Sequence, residues 1–218
     1  MKTAVLVDGG FYRKKAAHFW GHKSPHARAC ELIAYCHAHI DHEKQHSDMS
    51  LYRIFYYDCP PISSSLYHPL LKKSIDFRHS ETYSWTNDFF DELRRMRKVA
   101  LRLGTISEQF SQYEISHSAL KKLCAGKISI DDLSEKDFSP SIKQKGVDMK
   151  IGIDIASLAY KKQVNQIILI AGDSDFVPAA KLARREGIDF ILDPMWSKVK
   201  PDLFEHIDGL HSNWKPKD

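Results

Sequence analysis

Short apolar runs that alternate with longer helical patterns constrain the fold of this chain more than any other feature. Each run is aliphatic, β-branched or aromatic and too short for a core helix, which is typical of a strand buried on both faces. The predicted strands are residues 3–7, 52–57, 166–171 and 188–192. Helical patterns lie at residues 27–46, 151–159 and 175–186. This alternation predicts an α/β fold of three layers with a mostly parallel central sheet.

The middle of the chain leaves two interpretations open. A helix that begins at Thr86 or Asn87 would have acidic residues first and arginines last, as the helix dipole favours. Val99–Leu103 either extends this helix or forms a strand with alternate residues on one face, and periodicity does not decide between the two. A further helix is expected at His117–Cys124.

The composition excludes several classes of protein. With 218 residues, 43% of them hydrophobic and 28% charged, the chain can bury a core without metal or disulfide staples. No apolar run approaches the ~18–20 residues that cross a bilayer, and Asp8 interrupts the N-terminal run too early for a signal peptide. The four cysteines are irregularly spaced and include no C-x-x-C pair. They therefore indicate reduced thiols and a cytoplasmic protein without a membrane anchor.

The net charge of +4 is unevenly distributed along the chain. Residues 61–130 carry 11 Lys and Arg against 7 Asp and Glu, whereas residues 131–218 carry 13 against 15. A basic middle beside an acidic end suits a polyanion held near metal-binding carboxylates.

Aspartates follow the predicted strands or stand at the head of a helix. Ligands of an open parallel sheet bind outside the carboxyl ends of its strands, so these side chains are expected to meet along one edge. Each one alone is explained equally well as a helix N-cap. The acidic residues are Asp8, Asp58, Asp148, Asp173, Asp175 and Asp193, with Asp154 farther along the helix that follows Asp148.

Four of these acids together predict a cation site. Carboxylates that meet at one edge raise one another's pKa values unless a cation neutralises them. Oxygen ligands that leave room for water and phosphate suit Mg²⁺ or Mn²⁺. Such a site binds phosphate oxygens, activates water and stabilises a leaving alkoxide. The four acids are Asp8, Asp148, Asp173 and Asp175.

Three other α/β classes are excluded by their motifs. Residues 172–175 are similar to the late acidic motif of haloacid dehalogenase-type phosphatases, but those enzymes need a second aspartate two residues after their nucleophile, where this chain has Gly10. Neither a G-x-G-x-x-G fingerprint nor a P-loop is present.

Three stretches of the sequence carry a resemblance to a known family. Residues 7–12 (VDGGFY), 144–150 (QKGVDMK) and 172–178 (GDSDFVP) resemble the three acidic motifs of the NYN-domain family, the LabA-like branch of the PIN-like nucleases. The resemblance implies a Rossmann-like PIN fold, a strand at Val99–Leu103 and divalent-metal-dependent cleavage of RNA. It assigns catalysis and metal binding to Asp8, Asp148, Asp173 and Asp175, with Asp58 and Asp154 as accessory acids.

The resemblance also organises the rest of the chain. We expect an NYN/PIN-like domain over residues 1–197, with a variable segment at about 107–143, and a peripheral helix and tail over residues 198–218. Lys145 and Lys150 are expected to contact the scissile backbone, and Tyr12 to stack on a base.

Two questions about function stay open at this point. Acidic residues that contact only phosphate do not distinguish ribose from deoxyribose, so the nucleic-acid partner is either RNA or DNA. The alternative function is a catalytically silent protein of the same fold that binds RNA or protein partners, since a fold does not by itself fix an activity.

Overall fold

The apolar runs of the sequence form the strands of a parallel sheet. In the computed structural model, which describes residues 1–44, 50–172 and 174–215, residues 4–7 of the first strand have no exposed surface. A strand buried on both faces has no place for the polar residues that would otherwise alternate along it. The strands are β1 Lys2–Asp8, β2 Ser50–Asp58, β3 Ser65–His68, β4 Lys73–Asp76, β5 Val99–Leu103, β6 Thr105–Ile106, β7 Gln112–Ile115, β8 Phe138–Ser141, β9 Gln144–Lys145, β10 Gln166–Ile170, β11 Asp189–Asp193 and β12 Gly209–Leu210.

Helices connect most of the strands of the parallel sheet. The α-helices are α1 Gly9–Trp20, α2 Pro25–Lys44, α3 Glu81–Arg95, α4 His117–Cys124, α5 Val147–Tyr160, α6 Val177–Arg185 and α7 Pro201–Phe204. Short 3₁₀ segments lie at Phe77–His79, Glu108–Phe110, Ile130–Asp132, Glu135–Asp137 and Ser174–Phe176. No helix of the described residues has both the length and the apolar character needed to cross a bilayer.

The central sheet has the predicted parallel arrangement. Within the described ranges its six strands follow the order β12-β11-β10-β1-β2-β5, and every neighbouring pair is parallel. The predicted α/β fold with a parallel central sheet is confirmed, and residues 99–103 form a strand rather than an extension of a helix. Because parallel strands end on the same side, the residues that follow β1, β2, β10 and β11 lie along one carboxyl edge.

Two adjacent tyrosines of β2 show the three layers. Successive strand residues point to opposite faces of a sheet. The ring of Tyr56 faces α1 and α3, where it lies 5.6 Å from the Phe89 ring centroid. Tyr57 faces the other way and donates its hydroxyl to Asp154 of α5 at 2.8 Å. The sheet is therefore covered by helices on both faces.

A β-bulge near the start of β2 determines which residues of this strand face α1 and which face α5. Thr3 of β1 pairs with Leu51, whereas Ala4 pairs with Arg53, so the pairing passes over Tyr52. After this bulge the register is regular to Asp8, which pairs with Tyr57.

Two expected helix starts differ from the observed ones. The prediction of a helix that begins at Thr86 or Asn87 is wrong, because α3 begins at Glu81. The hydroxyl of Ser80 accepts a hydrogen bond from the Tyr83 amide at 3.1 Å, so helix α3 is capped before its predicted start. The helix expected from Asp175 begins as the 3₁₀ segment Ser174–Phe176 before α6 takes over.

The chain divides into two compact units. The first comprises Met1–Cys59, Asp88–Gly104 and Gly146–Asp218, and it contains the parallel sheet. In its last part Leu203 of α7 is buried, and β12 pairs with β11. The domain boundaries expected from the sequence stay a prediction.

The second unit comprises Pro60–Asn87 and Thr105–Lys145. Its strands form the antiparallel pairs β3–β4, β6–β9 and β7–β8. His68 is buried at its centre, with ring centroids 4.4 Å from Tyr113 and 5.3 Å from Phe138.

Gly9 and Gly10 make a matched pair for testing the junction of β1 and α1. A methyl group on Gly9 would lie 2.5 Å from the Tyr56 ring and 2.6 Å from the Tyr57 carbonyl, whereas one on Gly10 would meet only Asp8 Oδ1 at 3.5 Å. We expect Gly9→Ala to lower the free energy of unfolding by between about 1 and 3 kcal/mol through overpacking. Gly10→Ala should leave it unchanged or raise it by up to about 1 kcal/mol. Urea denaturation measures both, and equal effects would contradict the described contact.

Candidate active site at the carboxyl edge of the sheet

Asp8 is the last residue of β1 and the N-cap of α1. Its Oδ1 accepts a hydrogen bond from the Phe11 amide at 3.1 Å. Burial raises the pKa of Asp8 to about 6, the Phe11 amide opposes this shift, and the carboxylates of Asp148 and Asp58 add to it. The end of β1 therefore carries a carboxyl group that is costly to ionise unless a positive charge is near.

Asp148 comes to this edge from a distant part of the sequence. It lies in the first turn of α5, after Gly146 with a φ of 83°, a left-handed conformation that glycine adopts without strain. Its side chain is exposed, and a negative charge in a first turn is favoured by the helix dipole. α5 contacts β1, and the Asp148 charge contributes to the raised pKa of Asp8, so the acids of the first two motifs lie on neighbouring elements.

The third motif lies next to the first through its glycine. A methyl group on Gly172 would lie 2.4 Å from Cε2 of Phe11, so this backbone packs directly on the α1 ring. Asp175 is exposed, in a 3₁₀ segment that contacts α5. Asp173 lies outside the described residues.

The described carboxylates suit a divalent cation in their chemistry. Burial and the neighbouring Asp148 charge disfavour the ionisation of Asp8, and hard oxygen donors at such a point suit Mg²⁺ or Mn²⁺. Among the residues that the structure describes, no group of three His, Cys, Asp or Glu side chains is arranged to hold a metal ion. Asp173 falls outside that search.

Asp58 ends the neighbouring strand but is already neutralised. It is almost fully buried, and its Oδ2 lies 3.0 Å from Nε of Arg13. The Tyr56 hydroxyl donates to the same oxygen at 3.1 Å, and the Cys59 amide donates to Oδ1 at 2.8 Å. Burial raises the pKa of Asp58, and Arg13 lowers it. The pair with Arg13 was not foreseen from the sequence, since no local pattern links the two residues.

Asp154 lies on the opposite face of the sheet from Asp58. Its Oδ2 accepts hydrogen bonds from the Tyr57 hydroxyl at 2.8 Å and from Arg102 Nε at 3.1 Å. Burial and then the Asp154 charge raise the pKa of Tyr57, so this hydroxyl stays protonated as a donor. Asp154 thereby joins α5 to β2 and β5.

The three expected substrate contacts lie in different surroundings. Tyr12 is fully buried and donates its hydroxyl to Glu31 at 3.2 Å, so its ring has no face open to a base. Lys150 is exposed and, four residues before Asp154, shares a helix face with that acid rather than with Asp148. Lys145 belongs to the second unit, where its Nζ lies 5.0 Å from the Phe110 ring centroid.

A buried network at the end of β11 is a feature that the sequence did not reveal. Asp193 has no exposed surface, and its Oδ2 accepts the Tyr35 hydroxyl at 2.6 Å and meets His39 Nε2 at 2.8 Å. Its Oδ1 accepts the Ser212 hydroxyl at 2.6 Å and the Met195 amide at 2.7 Å. These partners come from α2, from the loop after β11 and from the segment after β12, so the only sequence signal was the strand-end position of Asp193.

Comparison with known proteins gives three similarities. The NYN domain model matches residues 81–203, a range that includes Asp148, Asp154, Asp173 and Asp175 but not Asp8. The uncharacterized protein MJ0482 of Methanocaldococcus jannaschii is 22% identical over 153 residues, which are 67% of this chain and 60% of that protein. The crystal structure of VPA0982, a protein of unknown function from Vibrio parahaemolyticus, aligns over 96% of this chain and 90% of its own, with 15% identity and a TM-score of 0.47.

Replacing Asp8 with asparagine should stabilise the metal-free protein at neutral pH. Its pKa is about 6 in the folded protein against an ordinary value of 3.8, so the folded state binds this proton more tightly. The carboxyl costs almost no stability below pH ~3, where both states are protonated, and about 0.5 kcal/mol at pH ~4. Its full cost appears above pH ~6. Since asparagine caps a helix as well as aspartate, we expect Asp8→Asn to raise the free energy of unfolding at pH ~8 by between about 1 and 3 kcal/mol.

The measurement is urea denaturation at pH ~4 and ~8 with a chelator present, and the gain should shrink to about 0.5 kcal/mol at the lower pH. Asp131→Asn, at an exposed acid of the second unit, is the matched control and should change stability by less than about 0.5 kcal/mol. An equal gain from Asp8→Asn at both pH values would contradict the raised pKa.

Proposed function

The chain belongs to the NYN domain family of PIN-like nucleases, and on that premise we propose that it is a ribonuclease that hydrolyses RNA phosphodiester bonds with Mg²⁺ or Mn²⁺. The observation that carries the proposal is that Asp8 ends β1 at the carboxyl edge of the sheet, while Asp148 lies in the first turn of α5, a helix that contacts β1. Carboxyl groups whose ionisation is unfavourable are stabilised in their ionised form by a nearby cation. The three acidic motifs also support placement in the LabA-like branch of the family.

We assign the metal and the catalysis to Asp8, Asp148, Asp173 and Asp175. When bound, the divalent ion supplies a polarised water and neutralises charge on the phosphate. Asp8 is held for this role by the Phe11 amide, which fixes its carboxylate at the start of α1. The N-terminal amides of α5 favour an anionic phosphate near Asp148, so the substrate charge is partly offset by the protein.

Asp58 and Asp154 have supporting roles in this proposal. Arg13 neutralises Asp58 beside Asp8, which limits the negative charge that the site must accommodate. Asp154 holds Tyr57 and Arg102, and through them it ties α5 to β2 and β5. Both acids thus act on the position of the strand and helix ends rather than on the phosphate.

Asp8→Asn should abolish metal-dependent cleavage without unfolding the protein. Removing one carboxylate from the cation site should lower the cleavage rate by at least about a hundredfold. The measurement is the cleavage of a fluorescently labelled single-stranded RNA with Mn²⁺ and with chelator, for the parent, Asp8→Asn and the surface control Asp131→Asn. A fully active Asp8→Asn variant, or cleavage that persists in chelator, would overturn the assignment.

The same assay separates the alternative function. A parent protein that binds RNA but cuts no substrate with any divalent ion would show a silent binding protein of this fold. Parallel reactions on DNA of the same sequence decide between the two nucleic acids.

Metal binding itself is tested by stability. We expect millimolar Mn²⁺ to raise the melting temperature of the parent at pH ~7.5, since a ligand that binds only the folded state stabilises it by mass action. Asp8→Asn and Asp148→Asn should lose most of this increase, whereas Asp131→Asn should keep it. An equal increase in all four proteins would show that Mn²⁺ binds elsewhere.

A further inference from the structure

Two tryptophans form an exposed aromatic surface at the carboxyl edge of the first unit. Trp196 follows β11 and is 49% exposed, and Trp214 follows β12 and is 40% exposed. β11 is separated from β1 by β10 alone, so the strand that precedes Trp196 is about 10 Å from the one that ends in Asp8. Large apolar rings at such a place need a reason to be exposed.

The two indoles are held in place rather than loosely exposed. The Trp196 indole N–H donates to the carbonyls of Asn213 and Trp214 at 3.3 and 3.2 Å, and its backbone amide donates to the Ser212 hydroxyl at 3.2 Å. Ser212 in turn donates to the buried Asp193. The fixed part of Trp196 is therefore its polar edge. Among the residues that the structure describes, no other ring packs against its faces.

Trp214 is anchored from one side. Its ring makes edge contacts with Trp20 and Tyr35, with centroids 5.5 and 5.3 Å away. Both exposed tryptophans, and Met195 beside them, have left-handed backbones with φ values of 63°, 42° and 43°. Bulky residues seldom adopt this conformation, and it persists only where surrounding contacts enforce it. Asp193 supplies part of that enforcement through the Met195 amide and Ser212.

Lysines flank both rings in the sequence, while the acids nearest to the rings along the described part of the chain are the buried Asp193 and the exposed Asp202 and Asp208. Residues 194–201 contain Lys198 and Lys200, residues 209–215 contain Lys215, and neither stretch contains an aspartate or glutamate. Lys198 and Lys215 are exposed. Rigid aromatic faces flanked by lysines have the chemistry that binds single-stranded nucleic acid, in which bases stack on rings and phosphates meet cations.

We propose that the Trp196–Trp214 surface binds unpaired nucleobases of a single-stranded RNA by stacking. The inference rests on the proposed function for the identity of the ligand, and it adds a binding site at the β11–β12 side of the carboxyl edge. The site selects single strands because a duplex keeps its base faces covered.

The test is equilibrium binding with the metal removed. Fluorescence anisotropy with excess chelator compares a labelled single-stranded RNA with its duplex, so that neither cleavage nor its absence affects the result. We expect Trp196→Leu to weaken single-strand binding about tenfold or more, and Trp196→Phe, which keeps a ring but not the N–H, to stay within about threefold. Tyr160→Leu is the matched control, since Tyr160 is an exposed aromatic residue of the same unit at the other end of α5.

The outcomes separate this inference from the proposed nuclease activity. Trp196-dependent binding in a protein that never cleaves RNA would support the surface and reject the nuclease. The proposed surface would be overturned by unchanged binding of Trp196→Leu, by an equal loss of binding in Tyr160→Leu, or by equal affinity for the duplex. A parent protein that does not bind the RNA would overturn it as well. If Trp196→Leu does not fold, the test is quenching of the parent's tryptophan fluorescence by the single-stranded RNA. A parent protein whose fluorescence is not quenched would reject the proposal.

Discussion

The pairing of β1 with a parallel strand on each side is the constraint on which the rest of the first unit depends. Residues 4–7 are fully buried between β2 and β10, so the strand cannot shift without exposing apolar surface or breaking both ladders. This fixes where the strand stops. It also requires α1 to begin at once against Tyr56, which only the missing side chain of Gly9 allows. Asp8 is thus placed by the core on one side and by a helix start on the other.

Aspartates in the same sequence position acquire different roles through their neighbours. Asp8, Asp58 and Asp193 each end a parallel strand. Arg13 neutralises Asp58, and four donors surround Asp193. Asp8 has a capping amide on one oxygen and another carboxylate nearby. Of the three, it is the acid whose charge is least compensated, and uncompensated charge is what distinguishes a candidate ligand from a structural acid.

Much of the fold follows from local patterns, and the exceptions have physical causes. The buried strands leave continuous apolar runs, so they are visible in the sequence. The strand at residues 99–103 was ambiguous because a half-buried segment of this length carries little periodicity. The start of α3 lies earlier than predicted because the Ser80 hydroxyl accepts the Tyr83 amide, so that Thr86 becomes an interior residue of the helix.

The site could be anticipated only in part for a related reason. A strand-end position is visible in the sequence, so Asp8 and Asp193 were both noted. Which one is neutralised depends on His39 and Tyr35, which lie far away in the chain. The position of Tyr12 could not be read either, because the acceptor for its buried hydroxyl, Glu31, belongs to the next helix.

The bulge at Tyr52 has a consequence for how this chain tolerates insertions and deletions. The skipped residue advances β2 by one position against β1, and one position exchanges the two faces of a strand. Deleting Tyr52 would close the bulge and leave the pairs from Ala4–Arg53 to Asp8–Tyr57 in register. A deletion between Arg53 and Tyr56 has no extra residue to absorb it, and it would exchange the two faces for the residues on one side of the deletion. The start of this strand can therefore lose one residue at Tyr52, whereas the part from Arg53 to Asp58, which positions the strand end, cannot change length without changing faces.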